Sequence, residues 1–358
     1  MRGPQLELKL DAVRHNVRAW LSYLAERELW AVVKSNAYGL GLIPVARACL
    51  EAGAHRLCVV DMQEAVRLCD AGISAPIVHV WATPLEELET AARLNVVATI
   101  EDERGAHELS RIGDTRGKPA LAHVAIETGT GWSGVPAAKI AQFASGVQGL
   151  KGVTWEGAWT HIAGQDSMPA QESAFDAAVS ALRVSGLKVP ITHLASTGPA
   201  LWGAGGAAVR IGVGLYGSSL GRTHPQLALK TALTLRAPVM YVKRFDRPTA
   251  LGYGGTAVAQ AGEAIATLRL GYADGLPRAL SVGGLAILGG ERCNIVGAIG
   301  MNFTMLKVPF GVAVNAGDEA IVVGDMDGVR LDEVAQRAGT IPHQLITSLA
   351  ALSVRPNV

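Results

Sequence analysis

Between about residue 29 and residue 212, a short β-type run gives way to an amphipathic helical stretch eight times over, and this alternation constrains the fold more tightly than anything else in the chain. Parallel strands can be joined only through crossover segments, so repeated βα units lead to a closed barrel or to an open, doubly wound sheet. Eight units in about 200 residues match an α/β fold of the (β/α)8 TIM-type barrel class. The doubly wound sheet stays open as the alternative, because periodicity alone does not separate the two. The β-type runs are Leu29–Lys34, Arg56–Val60, Pro76–Trp81, Asn95–Ile100, Leu121–Glu127, Val153–His161, Pro190–Ala195 and Ala207–Val213. Between them stand stretches such as IPVARACLEAG, MQEAVRLCDAG and PLEELETAARL, with apolar residues at helical spacing and glycine closing several. Ahead of the first unit, Leu6, Leu8 and Leu10 alternate with Glu7 and Lys9, which predicts a half-buried strand. Asp11 then reads as the N-cap of a helix over Ala12–Tyr23.

Beyond residue 220 the texture changes to short alternating runs, including Leu233–Val242, Glu263–Leu270, Ala286–Leu288, Cys293–Ile299 and Glu319–Val323. One helical stretch, Leu331–Ala338, precedes a tail able to form another strand. The expected division is a barrel over residues 11–222 and a mostly β C-terminal domain over 223–358, joined by the N-terminal strand 1–10. Lys and Arg number 32 against 31 Asp and Glu, without basic blocks, so neither nucleic acid nor an anionic membrane is expected as the main partner. No apolar run reaches the roughly 18 to 20 residues that span a bilayer, and MRGPQLELKLD lacks a signal-peptide core, so a cytoplasmic location is expected. Cys49, Cys58, Cys69 and Cys293 form no C-x-x-C pair and read as buried free thiols. The nine histidines are scattered without metal-ligand spacing, so no metal site is expected.

Functional groups of such barrels collect at the C-terminal ends of the strands. Lys34, in AVVKSNAYGLG, follows four apolar residues at the end of the first run. Partial desolvation there favours a neutral amine able to form a Schiff base; the alternative is a solvent-facing lysine that merely ends a strand. Tyr38 and Gly39 permit a tight turn beside it. After the eighth run, Gly212-Val213-Gly214-Leu215-Tyr216-Gly217 formally matches the dinucleotide fingerprint, but it closes a series of βα units instead of opening one. Backbone N–H groups of Gly212 and Val213, with the hydroxyls of Ser196 and Thr197, suit a phosphate; a turn that needs glycine's positive φ is the alternative. Arg210 lies in the eighth run, two residues before those glycines, and His161 ends the sixth, each either a ring-facing group or a satisfied core residue.

The ordered segments LKLDAVRHNVRAW, AVVKSNAYGLG, ETGTGWSG, THIAGQD, HLAST, AAVRIGVGLYG, LGYGGT, LGYADGLPR and VNAGDEAIVVG resemble the alanine racemases nearly from end to end. The resemblance implies a barrel followed by a β domain and a pyridoxal 5'-phosphate cofactor attached to Lys34. It further implies that Tyr38, Ser196, Thr197, Gly212 and Val213 hold the phosphate, that Arg210 faces the ring nitrogen, and that His161 lies beside the ring. It implies a head-to-tail homodimer acting on a small amino acid, with Lys34 and Tyr253 of the partner subunit as the two acid/base groups. Racemisation removes a proton from one face of Cα and delivers one to the other, so two groups on opposite faces are chemically required. Arginine only donates hydrogen bonds, so the ring nitrogen facing it must accept one and should stay uncharged, drawing electrons less strongly.

The chain departs from the family pattern at several positions. Ala125 and Trp132, in AIETGTGW, replace the lysine and arginine around the family's D-T-G-x-G-R motif. Gly300-Met301-Asn302 replaces C-M-D, and ALSVRPNV lacks the tyrosine that often precedes the C-terminal R-V-P. Trp132, Tyr272 and Met301 become the candidate substrate contacts. The expected activity is racemisation of alanine. The alternatives are a racemase for another amino acid with an altered carboxylate pocket, and a low-turnover protein that binds pyridoxal phosphate.

Overall fold

The computed structural model describes residues 3–222, 224–352 and 354–357. The chain divides into two compact units, one of Val17–Ala37 and Leu42–Gly212, the other of Met1–Asn16, Tyr38–Gly41 and Val213–Val358.

Among the described residues the barrel path of the first unit has eight parallel strands, Glu28–Val32, Arg56–Val59, Ile77–His79, Ala98–Ile100, Ala120–Glu127, Val153–Trp159, Ile191–Ser196 and Ala208–Ile211, and the two-residue strand Val135–Pro136 pairs with the fifth. Each pairs with its neighbours in a continuous order, and the first strand lies beside the eighth. The two edge strands meet through a bridge between Val78 and Val97, where the Val97 N–H donates to Ile77 O at 2.9 Å and the His79 N–H to Val97 O at 3.0 Å. That closure selects the barrel over the open sheet.

Most strand positions are buried, as expected where both faces are covered, although His79, Thr99, His123, His193 and Arg210 are polar residues among them. Trp30, Val32, Cys58, Val78, Val97 and Ala208 form one buried cluster across four of the strands and the approach to the fourth strand in chain order. Carboxylates cap the helices between: Asp61 accepts from the Gln63 N–H at 2.8 Å and Asp102 from the Gly105 N–H at 2.7 Å. Helix Glu103–Arg116 packs so closely that a Cβ on Gly113 would lie 2.0 Å from Gly152 O.

Several strands are shorter than the sequence suggests. The first ends at Val32, so Lys34 stands just beyond it. Asn95 belongs to no strand, because at φ 56° it caps helix Leu88–Leu94 in the left-handed region.

In the second unit, strands Leu233–Arg244, Ala264–Leu268, Leu285–Leu288, Glu291–Ile295, Thr304–Val308 and Glu319–Val323 pair antiparallel in a closed ring. Gln5–Lys9 adds to its Leu233–Arg244 side, antiparallel, and the tail strand Val354–Asn357 pairs parallel with Gln5–Lys9. The first helix begins at Leu10, directly from the strand, so Asp11 is not its N-cap. Asp11 lies in the first turn and pairs with Arg14 at 2.9 Å. Near the C-terminus there are two helices, Leu331–Arg337 and Pro342–Leu349. All four cysteines are free; Cys49, Cys58 and Cys293 are buried, whereas Cys69 is only half-buried, contrary to expectation. Among the described residues no helix is long and apolar enough to cross a membrane.

Candidate active site

At the end of the first barrel strand the backbone reverses its hand. Ser35, Asn36, Ala37 and Tyr38 adopt φ of 54°, 55°, 54° and 63° immediately after Lys34. Left-handed geometry brings Cβ against the following carbonyl oxygen and costs L-residues roughly 1–2 kcal/mol each, so such a run needs external support. The Glu64 carboxylate accepts the Asn36 N–H at 2.5 Å, and the Asn36 side-chain oxygen accepts from the Leu42 N–H at 3.0 Å and from Arg67 at 3.3 Å. The Lys34 amine sits mostly out of water. Burial, then the neighbouring Arg210 charge, push its pKa below the ordinary lysine range, with Glu64 opposing.

Arg210, in the eighth strand, is buried and donates in several directions. One nitrogen reaches His193 Nδ1 at 2.6 Å and His193 O at 2.8 Å; the other reaches Thr160 O at 2.9 Å and His161 Nδ1 at 3.4 Å. Burial lowers its pKa to about 10, which still leaves it cationic near neutrality. A guanidinium only donates, so His193 Nδ1 must accept and its proton sits on Nε2. That Nε2 is 2.9 Å from His123 Nδ1, which turns the His123 Nε2–H toward Glu156, 4.0 Å away. Burial, then the charge of Arg56 and next that of Arg210, push His123 down to about 3, and burial followed by Arg210 also holds His193 well below the ordinary histidine value. Trp159 lies under Arg210, with the guanidinium carbon 5.1 Å from the ring centroid.

His161 stacks on Trp132 at 5.3 Å and 24°, and Trp132 tilts against Trp81 at 5.8 Å. Burial, followed by Arg210 and Lys34, depresses the His161 pKa to about 3, so the ring is neutral. Trp132 is 61% exposed and Trp81 45%. The loop that carries Trp132 is organised by one carboxylate: Glu127 accepts the N–H groups of Thr130 and Gly131 at 2.7 and 3.0 Å, that of Gly129 more closely, and the Thr130 hydroxyl at 2.7 Å. Burial works against these bonds, which together still leave the Glu127 pKa below its ordinary value. Ala125 lies buried in the strand below.

Thr197 Oγ1 accepts the Gly212 N–H at 3.3 Å, with Ser196 preceding it at the end of the seventh strand. Gly212 and Gly214 have no positive φ, contrary to the turn reading, whereas Gly217 does at 95°. Tyr38 and Val213 belong to the other unit, where the Tyr38 ring packs edge-on against Tyr216 at 5.4 Å.

In that unit Tyr253 is 68% exposed and its ring lies 6.0 Å from that of Phe303. Tyr272 and Met301 are exposed as well, and their segments adjoin: the Tyr272 N–H donates to Gly300 O at 3.1 Å and the Ala273 N–H to Met301 O at 3.0 Å. Gly300 is required there, because a Cβ would come 2.3 Å from the Phe303 ring.

Lys34, His161, Arg210, Trp132, Ser196, Thr197 and Gly212 thus lie in the barrel unit, and Tyr253, Tyr272 and Met301 in the other. Sequence reasoning passed over Glu64, Arg67, Trp81, Glu127, His123 and His193. For Glu127 a local signal existed, an acid followed by the hydroxyl- and glycine-rich TGTG. The two histidines stand in strand patterns that look purely structural.

Residues 8–220 match the alanine racemase N-terminal domain and residues 232–355 the alanine racemase C-terminal domain. The chain is 32% identical over 363 residues to "Alanine racemase 2" of Caldanaerobacter subterraneus subsp. tengcongensis, covering 98% of this chain and 93% of that protein. It is 34% identical over 359 residues to "Alanine racemase" of Clostridium perfringens, covering 96% and 92%. The crystal structure of alanine racemase from D-cycloserine-producing Streptomyces lavendulae superposes with a TM-score of 0.89 at 30% identity, covering 100% of this chain and 97% of that one. With both halves matched over their length, the chain belongs to the alanine racemase family.

Proposed function

We propose that this protein is a pyridoxal-phosphate-dependent racemase that interconverts L- and D-alanine and works as a head-to-tail homodimer. The observation that carries the reading is a desolvated lysine amine beside a buried arginine whose charge helps to depress it. The residues fit the cofactor: burial favours the neutral amine of Lys34, Arg210 offers only donors, and Thr197 and Gly212 form a polar cradle. When bound, pyridoxal phosphate supplies an aldehyde for the amine and a conjugated ring that withdraws electron density from the substrate Cα.

Lys34 holds the cofactor and moves a proton on one face of Cα; Tyr253 of the partner subunit serves the other. Arg210 donates toward the ring nitrogen and leaves it unprotonated. Ser196, Thr197 and Gly212 hold the phosphate. His161, neutral and stacked on Trp132, fills the space beside Arg210 without adding charge. Trp132 contacts the substrate from the barrel, and Tyr272 and Met301 arrive with the partner's Tyr253. The exposure of all three of these large side chains supports the dimer.

Incubation of the cofactor-loaded protein with L- and D-alanine, read by chiral chromatography, tests the activity; alanine should racemise from either side. The exposed Trp81 and Trp132 pair favours a second reading, in which a bulkier amino acid is the better substrate. A panel of amino acids in the same assay decides between the two, and absence of turnover on all of them rejects both.

A further inference from the structure

The left-handed run after Lys34 is built almost entirely from residues with a side chain, and its support comes from one distant element. Glu64 and Arg67 stand one turn apart on helix Met62–Asp70, and both reach Asn36, two residues past Lys34. Glu64 takes the Asn36 N–H at 2.5 Å through one oxygen, while Arg67 donates to the Asn36 side chain at 3.3 Å. The helix is itself anchored at its start by Asp61, 2.8 Å from the Gln63 N–H. Glu64 is only 5% exposed, and its second oxygen is buried with no hydrogen-bond partner. Leaving a carboxylate oxygen unpaired in the interior is costly unless a positive group compensates it.

We propose that Glu64, assisted by Arg67, is a positioning residue for Lys34: one oxygen pins the reversed turn that aims the amine, and the other is the counter-charge for its protonated form. The inference rests on Lys34 being the cofactor lysine. An amine that carries protons must be neutral at one moment and charged at another. Among the described residues the charged groups that act on Lys34 are Arg210 from the eighth strand, which opposes the ammonium, and Glu64 from this helix, which favours it. His161, from the end of the sixth strand, is neutral with its pKa near 3.

The test uses the full-length protein freed of cofactor, then mixed with pyridoxal phosphate at a series of pH values. Condensation of the amine with the aldehyde releases one water; borohydride fixes the product, and peptide mass spectrometry locates and counts it. Glu64→Gln keeps an oxygen for the Asn36 N–H but no charge; the midpoint pH of attachment should fall by about one unit, with a rate near wild type once the amine is neutral. Glu64→Ala removes both functions and should show the same acid shift plus an attachment rate at least about tenfold lower at high pH. Circular dichroism and thermal melting establish that each variant is folded, and Glu64→Gln keeps the charge arm readable if Glu64→Ala does not fold. An unshifted midpoint in the folded Glu64→Gln protein, or a wild-type rate in folded Glu64→Ala, overturns the proposal. If the wild-type adduct maps to a residue other than Lys34, it is the cofactor reading itself that fails.

Discussion

At the level of single residues, the chemistry depends on which groups are kept from ionising. His161 has its pKa pushed down to about 3, so it is uncharged throughout the range in which an enzyme of this kind would work. Nitrogen-15 NMR of the histidine rings in the cofactor-free protein should therefore show no titration of His161 between pH 5 and 8; a midpoint near 6.5 would contradict the burial and cation effects assigned to it. Lys34→Ala should remove the visible absorbance of the cofactor-loaded protein and all racemisation; a retained band with activity would refute the role of Lys34. Lys34 was legible in the chain because four apolar residues lead up to it and a turn signal follows. Glu64 was not. It reads as an ordinary polar position on an amphipathic helix, and only the closure of the second βα unit onto the first brings it to Asn36.

At the level of elements, alternation in the sequence told which segments are strands and helices, and local backbone chemistry decided where they stop. Lys34 lies outside its strand because the chain turns left-handed there, a conformation that SNAY does not advertise, Asn36 being the only one of its residues suited to it. Pro342 at the first helical position and Leu345, Ile346 and Leu349 on one face mark the last helix, yet its eight residues are too few for periodicity to stand out. Close packing at Gly113 gives a test of element placement. Gly113→Ala would force a methyl group to within 2.0 Å of the Gly152 carbonyl and should lower stability by about 1–3 kcal/mol, read as a reduced urea midpoint. An unchanged midpoint would mean that helix Glu103–Arg116 sits further from Gly152 than described.

For the whole molecule, the expectation of a barrel plus a β-rich part could be reached from texture, but closure rests on the hydrogen bonds around Val97, which no periodicity encodes. The proposed two-subunit site rests on likeness to relatives alone, since nothing in the spacing of Lys34 and Tyr253 says that they belong to different copies. Subunit mixing tests it. Lys34→Ala and Tyr253→Phe proteins, each impaired alone, should regain about a quarter of wild-type activity when refolded together in equal amounts, because half the dimers are mixed and each has one intact site. No recovery, with dimers demonstrated by sedimentation, would place both residues in the same chain's site.

The arrangement of the two chain ends has a consequence for biosynthesis. Gln5–Lys9 finds its first neighbour in Leu233–Arg244 and its second in Val354–Asn357, and Glu7 bonds to a residue 350 positions away. A ribosome therefore extrudes Gln5–Lys9 long before either neighbour exists, and its second edge is covered only after Val354–Asn357 has emerged. Such high contact order makes maturation slow and exposes a sticky ribbon to aggregation until that later segment arrives.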